Sequence, residues 1–188
     1  IPVVVPIATG TEITNRYAKE AQNYLFRVSM VDREQTALLG AYAAKSTKTQ
    51  KVAIIADSTG YGQGGTKDAT DILALHGIKP VAVEKFGPKD TDITSQLSKI
   101  KAAGADTVIV YGLADGTAQV VRSMEKINYQ PTTLGAWGNL SSLFPKMTGP
   151  TLAPQLIMAA STTEDTSAKT KALGERIRKN FPTLTTFP

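Results

Sequence analysis

Residues 51–65 read KVAIIADSTGYGQGG, and residues 79–112 read KPVAVEKFGPKDTDITSQLSKIKAAGADTVIVYG. In the first segment an apolar run at 52–56 meets a glycine-rich turn at 57–65 that contains one tyrosine, Tyr61. A helix pattern follows, and the same alternation of strand and helix occurs twice more. This spacing is typical of a parallel sheet covered by helices on both faces. Because ligands bind outside the carboxyl ends of the strands in such sheets, the turn at 57–65 is the first candidate for a functional site.

The composition is that of a folded domain with its own core, since the chain has 188 residues of which 41% are hydrophobic and 20% charged. The absence of cysteine excludes disulfides, thiol catalysis and zinc–thiolate sites. The net charge is +5, but the lysines are dispersed, so we expect no nucleic-acid binding. No apolar run approaches the roughly 20 residues of a membrane span, and the first residues lack the pattern of a signal peptide. The opening IPVVVP and the ending without a final element lead us to expect a piece of a longer protein.

The rest of the pattern predicts further strands and helices in alternation. A polar, irregular loop is expected at 7–24, and Asp32 is expected to cap a helix whose buried stripe holds Leu38, Leu39, Tyr42 and Ala43. The predicted strands are 3–5, expected to be buried, then 26–29, 52–56, 80–86, 107–111, 133–137 and 155–160. The later predicted helices are 66–76, one between Asp92 and Gly104, 116–127, 140–147 and 167–180, the last carrying Leu173, Ile177 and Phe181.

The loops at the carboxyl ends of these strands are 57–65, 87–92, 112–117, 137–142 and 161–166, and they show no nucleophile with a paired base. The single histidine, His76, falls at a helix end just before a glycine, where a partial positive charge stabilises the last carbonyls. Asp57, Asp90 and Asp92 have the positions of ordinary turn and cap residues, so no metal site is expected. The sequence therefore favours binding over catalysis.

An alternative comes from Gly60, Gly62 and Gly65, which match the dinucleotide-binding pattern Gly-x-Gly-x-x-Gly after a strand, with Glu84 near the end of the next strand. This pattern predicts a nicotinamide-dependent oxidoreductase. Two details oppose it. The residues at 57–59 separate the strand from the first glycine, so the turn is not the tight one that places a pyrophosphate on the helix start. The carboxylate of Asp57 would also lie close to that phosphate.

The same segments resemble the second lobe of type I periplasmic substrate-binding proteins, in the branch named for branched-chain amino acids. The resemblance is carried by Tyr-Gly-x-Gly at 61–64, Asp-Thr-Asp-x-Thr-x-Gln-Leu-x-Lys-Ile-Lys at 90–101 and Gly-Ala-Asp at 104–106. IPVVVPIAT at 1–9 resembles the end of the first lobe with its ligand loop, and FRVSMVDREQ at 26–35 resembles the crossing between lobes. We therefore expect residues 1–9 to belong to the first lobe and residues 10–188 to the second.

The resemblance implies a flavodoxin-like, three-layer α/β fold, one of two lobes that close on a small solute like a hinged trap. It implies no cofactor, no covalent chemistry and an extracytoplasmic, periplasmic location. The partners that it implies are the solute and the membrane permease of an ABC importer. A ligand-sensing receptor domain of the same fold is a further alternative.

The resemblance also implies ligand-binding roles for seven residues: Ala8, Thr9, Asp32, Tyr61, Leu113, Ala114 and Trp137. Ala8 and Thr9 would hold a carboxylate with backbone and hydroxyl groups, Asp32 would lie near the hinge, and Tyr61 would close over the ligand. Leu113 and Ala114 stand where relatives often place aromatic or polar contacts.

Trp137 stands where amino-acid-binding members carry an acidic residue for the ligand's ammonium group. An indole supplies no negative charge, although its face attracts cations and stacks on rings. An unpaired buried ammonium costs several kcal/mol, roughly. The sequence therefore shifts the expected ligand from an ordinary amino acid towards an aromatic acid, an amide or another small carboxylate.

Overall fold

The computed structural model describes residues 1–45, 51–141, 143–160 and 167–183. These residues contain seven strands: β1 (Val3–Val5), β2 (Leu25–Arg27), β3 (Val52–Asp57), β4 (Ala82–Phe86), β5 (Thr107–Tyr111), β6 (Thr132–Gly135) and β7 (Leu156–Met158). They also contain seven α-helices: α1 (Thr11–Asn15), α2 (Asp32–Lys45), α3 (Gly60–Leu75), α4 (Thr94–Ala102), α5 (Ala114–Lys126), α6 (Leu143–Leu152) and α7 (Ala168–Asn180).

Five strands form one sheet in the order β4-β3-β5-β6-β7, and every neighbouring pair is parallel. In the register of the sheet, Ile54 lies between Val83 and Ile109. Every residue of β3 and β5 is buried, as the continuous apolar runs predict for central parallel strands. The predicted α/β class with a parallel sheet is therefore confirmed. β1 and β2 form a separate two-stranded parallel sheet.

The core has two layers because successive residues of a strand point to opposite faces of the sheet. On one face, Ala53 and Ile55 of β3 pack with Ile93, Leu97 and Ile100, the stripe predicted at α4. On the other face, Val52 and Ile54 pack with side chains of α2 and α3, namely Leu39, Ala43, Ala69 and Leu73. The sheet is thus the middle layer of three. The predicted helix stops at Gly77 and Gly104 are confirmed, with φ of 73° and 74°.

The start of α3 differs from the prediction, since the helix begins at Gly60 and not near residue 66. A Cβ on Gly62 would lie 2.0 Å from the Asp57 carbonyl oxygen, and a Cβ on Gly65 would lie 2.1 Å from the Tyr111 ring. These two glycines therefore let the helix begin directly against the carboxyl ends of β3 and β5. The predicted glycine-rich turn is in fact the first turns of a helix.

Other expectations about burial and extent were wrong. Val3 and Val4 of β1 are exposed, although the sequence predicts a buried strand there. Leu38 and Tyr42 are exposed because the buried stripe of α2 runs through Asp32, Gln35, Thr36, Leu39, Gly40 and Ala43. The segment 7–24, expected to be irregular, contains α1, and β6 ends at Gly135 and not at residue 137. Leu173 on α7 and Phe181 at its end are exposed.

Candidate ligand-binding site

A cleft of about 710 Å³ lies where the segment 7–13 faces the carboxyl ends of β3, β5 and β6. One wall is this segment, which follows β1 and includes the start of α1. The other wall comes from the first turns of α3 and from the loops after β5 and β6. The lining residues are Ile7, Ala8, Thr9, Gly10, Thr11, Glu12, Ile13, Gly60, Tyr61, Gly64, Lys67, Asp68, Leu113, Trp137, Gly138 and Leu140.

Tyr61 lies in the first turn of α3, and its ring packs on the buried ring of Tyr111 with 4.9 Å between centroids and 48° between planes. Its hydroxyl lies close to Gly138, where an added Cβ would come within 3.2 Å of that oxygen. Burial raises the pKa of Tyr61 well above its ordinary value, so the phenol remains neutral at physiological pH. Tyr61 therefore offers a flat apolar face and a hydroxyl that can donate a hydrogen bond.

The loop of residues 7–10 is held through its carbonyl groups. Arg27 Nη1 donates to the carbonyl oxygens of Thr9 at 2.9 Å and Gly10 at 2.8 Å. Ser29 Oγ donates to the Ala8 carbonyl at 2.9 Å, and the Asp32 N–H donates to the Thr9 carbonyl at 2.8 Å. By contrast, the N–H groups of residues 8–10 donate to no described residue. Within the described part of the chain these backbone donors are unused, and backbone N–H groups suit a carboxylate.

Trp137 opens a short 3-10 turn, Trp137–Asn139, directly after β6. Its backbone N–H donates to Gln35 Oε1 at 2.6 Å, and Gln35 Nε2 donates to Asp32 Oδ1 at 2.6 Å. Asp32 and Gln35 are both fully buried at the start of α2. The backbone position of Trp137 is thus fixed by a side chain that lies outside the cleft.

Asp32 is the first residue of α2, and not the N-cap that the sequence predicts. Burial raises the pKa of its carboxyl above the ordinary 3.8, and the nearby charge of Asp68 adds to this. The hydrogen bond that Asp32 Oδ1 accepts from Gln35 acts in the opposite direction and only partly offsets burial. Asp32 is therefore held beneath the cleft and does not line it.

Among the described residues, three charged groups line the cleft, and two of them pair with other side chains of the described residues. The buried Asp68 accepts a hydrogen bond from Thr11 Oγ1 and lies 3.6 Å from Arg33 Nη1. Lys67 pairs with Asp71 at 2.8 Å. Glu12 is exposed to solvent at the end of α1 that faces the cleft. Asp68 is therefore already paired within the protein, and Glu12 is hydrated.

Of the seven residues with predicted ligand roles, the structure brings five to the cleft: Ala8, Thr9, Tyr61, Leu113 and Trp137. Ala114 does not line the cleft, because it is buried among Ala118, Val121 and Phe144 at the start of α5. The predicted loop at 161–166 and residue 142 lie outside the described residues.

Sequence reasoning missed the part of the cleft that α3 forms. Gly64 and Asp68 follow Tyr61 at the three- and seven-residue spacing that places side chains on one face of a helix. Interpreting residues 57–65 as a turn hides that signal. Ile7 and Ile13 were also missed, since apolar residues in a loop carry no period.

The described residues hold no cluster of histidine and acidic side chains suited to a metal ion, and no helix among them is both long and apolar enough to cross a bilayer. The glycine pattern at 60–65 does not form a phosphate cradle. Asp57 accepts a hydrogen bond from the Thr59 N–H at 2.9 Å, so a carboxylate occupies the start of α3 where a phosphate would bind.

Comparison with known proteins defines the class. A family model described as periplasmic binding protein matches residues 1–188. The chain therefore belongs to the periplasmic binding protein family. The Leu/Ile/Val-binding protein homolog 3 of Brucella melitensis is 27% identical over 180 residues, which are 96% of this chain and 48% of that protein. The chain thus spans about half the length of the curated relatives it matches.

Solved structures show the same fold. A type 1 periplasmic binding protein from Bordetella pertussis superposes with a TM-score of 0.84 at 23% identity, covering 97% of this chain and 50% of that one. LivJ of Streptococcus pneumoniae, in complex with isoleucine, gives 0.80 at 24% identity, covering 97% and 51%. A Rhodopseudomonas palustris solute-binding protein in complex with 4-hydroxybenzoate gives 0.66 at 21% identity, covering 79% and 40%.

Proposed function

We propose that this chain is part of the substrate-binding component of an ABC importer, and that it captures a small solute outside the cytoplasm for a membrane permease. The single observation that carries the proposal is the cleft at the carboxyl ends of the parallel strands. Tyr61 and Trp137 line one wall, and the loop at 7–10, where the N–H groups of residues 8–10 donate to no described residue, belongs to the other. No nucleophile, cofactor cradle or nucleic-acid surface is needed for this function.

The walls favour a ligand with an apolar or aromatic body and a carboxylate. Large apolar or aromatic side chains of six described residues line the cleft: Ile7, Ile13, Tyr61, Leu113, Trp137 and Leu140. Backbone N–H groups stabilise an anion, and those of residues 8–10, which donate to no described residue, belong to the wall that faces this apolar surface.

A ligand ammonium group is poorly served by the same walls. Trp137 carries no negative charge, Asp68 is engaged by Thr11 and Arg33, and Glu12 is exposed. The names of the curated relatives point to branched-chain amino acids. The fold alone does not fix the ligand, since proteins of this fold were crystallised with isoleucine and with 4-hydroxybenzoate. We therefore assign an aromatic or aliphatic carboxylate without an ammonium group.

Calorimetry with matched ligand pairs tests this assignment on the intact protein. Leucine is compared with isocaproate, and phenylalanine with hydrocinnamate, because the members of each pair differ only in the ammonium group. We expect the deaminated member to bind at least about 100-fold more tightly, since an unpaired buried charge costs about 3–5 kcal/mol. Tighter binding of leucine than of isocaproate would refute the ligand class.

Two further outcomes separate the other functions. Binding of NAD together with no binding of any acid or amino acid would replace the proposal by the oxidoreductase alternative. A native gene product that continues from this domain into a signalling domain would identify a sensor with the same pocket, because an importer component ends at capture and delivery.

A further inference from the structure

A series of hydrogen bonds through buried groups joins the two walls of the cleft. It starts at the Thr9 carbonyl, which accepts the Asp32 N–H at 2.8 Å. The Asp32 carboxylate then accepts from Gln35 Nε2 at 2.6 Å, and Gln35 Oε1 accepts the Trp137 N–H at 2.6 Å. Gln35 and Trp137 are 102 residues apart in sequence. The amide of Gln35 is therefore the link that connects α2 to the turn after β6.

A carboxamide meets both requirements at this position, because one end accepts and the other donates. A glutamate would set a second carboxylate against Asp32, and a methionine would offer no donor and only a weak acceptor. Gln35 is fully buried, so loss of either partner leaves a desolvated polar group. Gln35 does not line the cleft, whereas Thr9 and Trp137, at the two ends of this series of hydrogen bonds, both do.

We propose that Gln35 is a positioning residue that fixes the Trp137 turn relative to the Thr9 loop and thereby sets the distance between the two walls that hold the ligand. Only the expected effect of Gln35 on ligand affinity rests on the proposed function. The position of Trp137 itself is a property of the ligand-free chain and is tested without any ligand.

Trp137 is the only tryptophan in the chain, so its fluorescence reports on this turn alone. Gln35→Met is expected to red-shift the emission of the native protein and to increase acrylamide quenching, because the released turn exposes more of the indole. Leu39→Ala is the matched control, since Leu39 lies one turn further along α2 in the core. It should lower stability and leave the native emission unchanged.

A charge-conserving swap provides a second variant if Gln35→Met does not fold. Gln35→Glu alone places two carboxylates together and should disturb Trp137. The double variant Gln35→Glu with Asp32→Asn restores the hydrogen bond between positions 32 and 35. The amide introduced at position 32 can donate to the carboxylate introduced at position 35. That carboxylate still accepts the Trp137 N–H. We expect the double variant to recover the parent emission and quenching, a coupling that a double-mutant cycle measures.

Hydrocinnamate affinity supplies the functional readout on the intact protein. Loss of one hydrogen bond that orders the wall should weaken binding by about tenfold in Gln35→Met, with recovery in the double variant. Parent-like Trp137 emission in Gln35→Met, an emission change in Leu39→Ala equal to that of Gln35→Met, or no rescue in the double variant would each overturn the proposal. If hydrocinnamate does not bind the parent protein, the ligand assignment fails while the fluorescence result still decides the role of Gln35.

Discussion

The glycines of α3 allow a sharp test, because three glycines of one helix differ only in what an added methyl group would meet. A Cβ on Gly65 would lie 2.1, 2.2 and 2.4 Å from three atoms of the Tyr111 ring, and a Cβ on Gly62 would lie 2.0 Å from the Asp57 carbonyl oxygen. A Cβ on Gly64 would meet no heavy atom within 4 Å outside its chain neighbours and the nearby backbone of its own helix. Ordinary contact begins at 3.4 Å, so alanine at position 65 requires a separation of roughly 1.3 Å between α3 and β5.

The sizes of the effects follow from two opposing terms. Alanine in place of glycine stabilises a helix interior by about 1 kcal/mol. Overpacking a core costs about 1–3 kcal/mol or more, and Tyr111 is fully buried and cannot swing aside. We expect Gly64→Ala to stabilise the chain by about 0.5–1 kcal/mol, and Gly65→Ala to destabilise it by about 2 kcal/mol. The gap corresponds to a Tm difference of roughly 5–12 °C for a chain of this size.

Thermal and urea unfolding, followed by far-UV circular dichroism, measures all three variants. Gly62→Ala should resemble Gly65→Ala, since its obstacle is backbone. Equal stability of Gly64→Ala and Gly65→Ala would refute the packing explanation. If both Gly62→Ala and Gly65→Ala kept full stability and lost affinity for NAD, the glycines would serve a nucleotide and not the contact between helix and sheet.

Three further changes test other parts of the molecule. Calorimetry of Trp137→Glu should show weaker binding of hydrocinnamate and tighter binding of phenylalanine, with a parent-like circular dichroism spectrum. Unchanged affinities for both ligands would remove Trp137 from the site. Because burial raises the pKa of Asp32 above 3.8, the folded chain loses stability as pH rises from that ordinary value through the raised pKa. Asp32→Asn should therefore gain stability relative to the parent as the pH rises above the ordinary 3.8, and parallel pH–stability curves would contradict this. Asn128 has a φ of 50°, so Asn128→Ala should cost about 1 kcal/mol in urea unfolding while Asn128→Gly is nearly neutral.

The features that the sequence predicted correctly depend on local pattern. Ile93, Leu97 and Ile100 repeat at helical spacing, and all three are fully buried against the sheet. Gly77 and Gly104 end their helices because a left-handed residue is needed there. Patterns of this kind require no knowledge of the partner surface, which is why the element order and the position of the cleft at the strand ends could be predicted.

The missed features depend on contacts between distant segments. Leu38 and Leu39 are equally apolar and adjacent, so the sequence alone does not decide which of them faces the core, and only Leu39 does. The hydrogen bond of Gln35 to Trp137 spans 102 residues and involves a backbone group that has no sequence signature. A polar residue at a crossing segment suggests a role in ligand binding, whereas burial makes Asp32 a support for both walls of the cleft.

The glycine pattern at 60–65 shows why one motif served two hypotheses. Nucleotide-binding folds and this chain share the need to start a helix directly against a strand, and that need selects glycine wherever a Cβ would meet backbone or a buried ring. The pattern alone therefore reports close packing, and the groups beside it decide the ligand. Here the Asp57 carboxylate accepts the Thr59 N–H at the helix start, and Tyr61 lies in the cleft. The Asp57 carboxylate at the helix start repels phosphate, while the Tyr61 ring, one residue past the first glycine, suits contact with an apolar solute. The same backbone geometry therefore serves a different class of ligand.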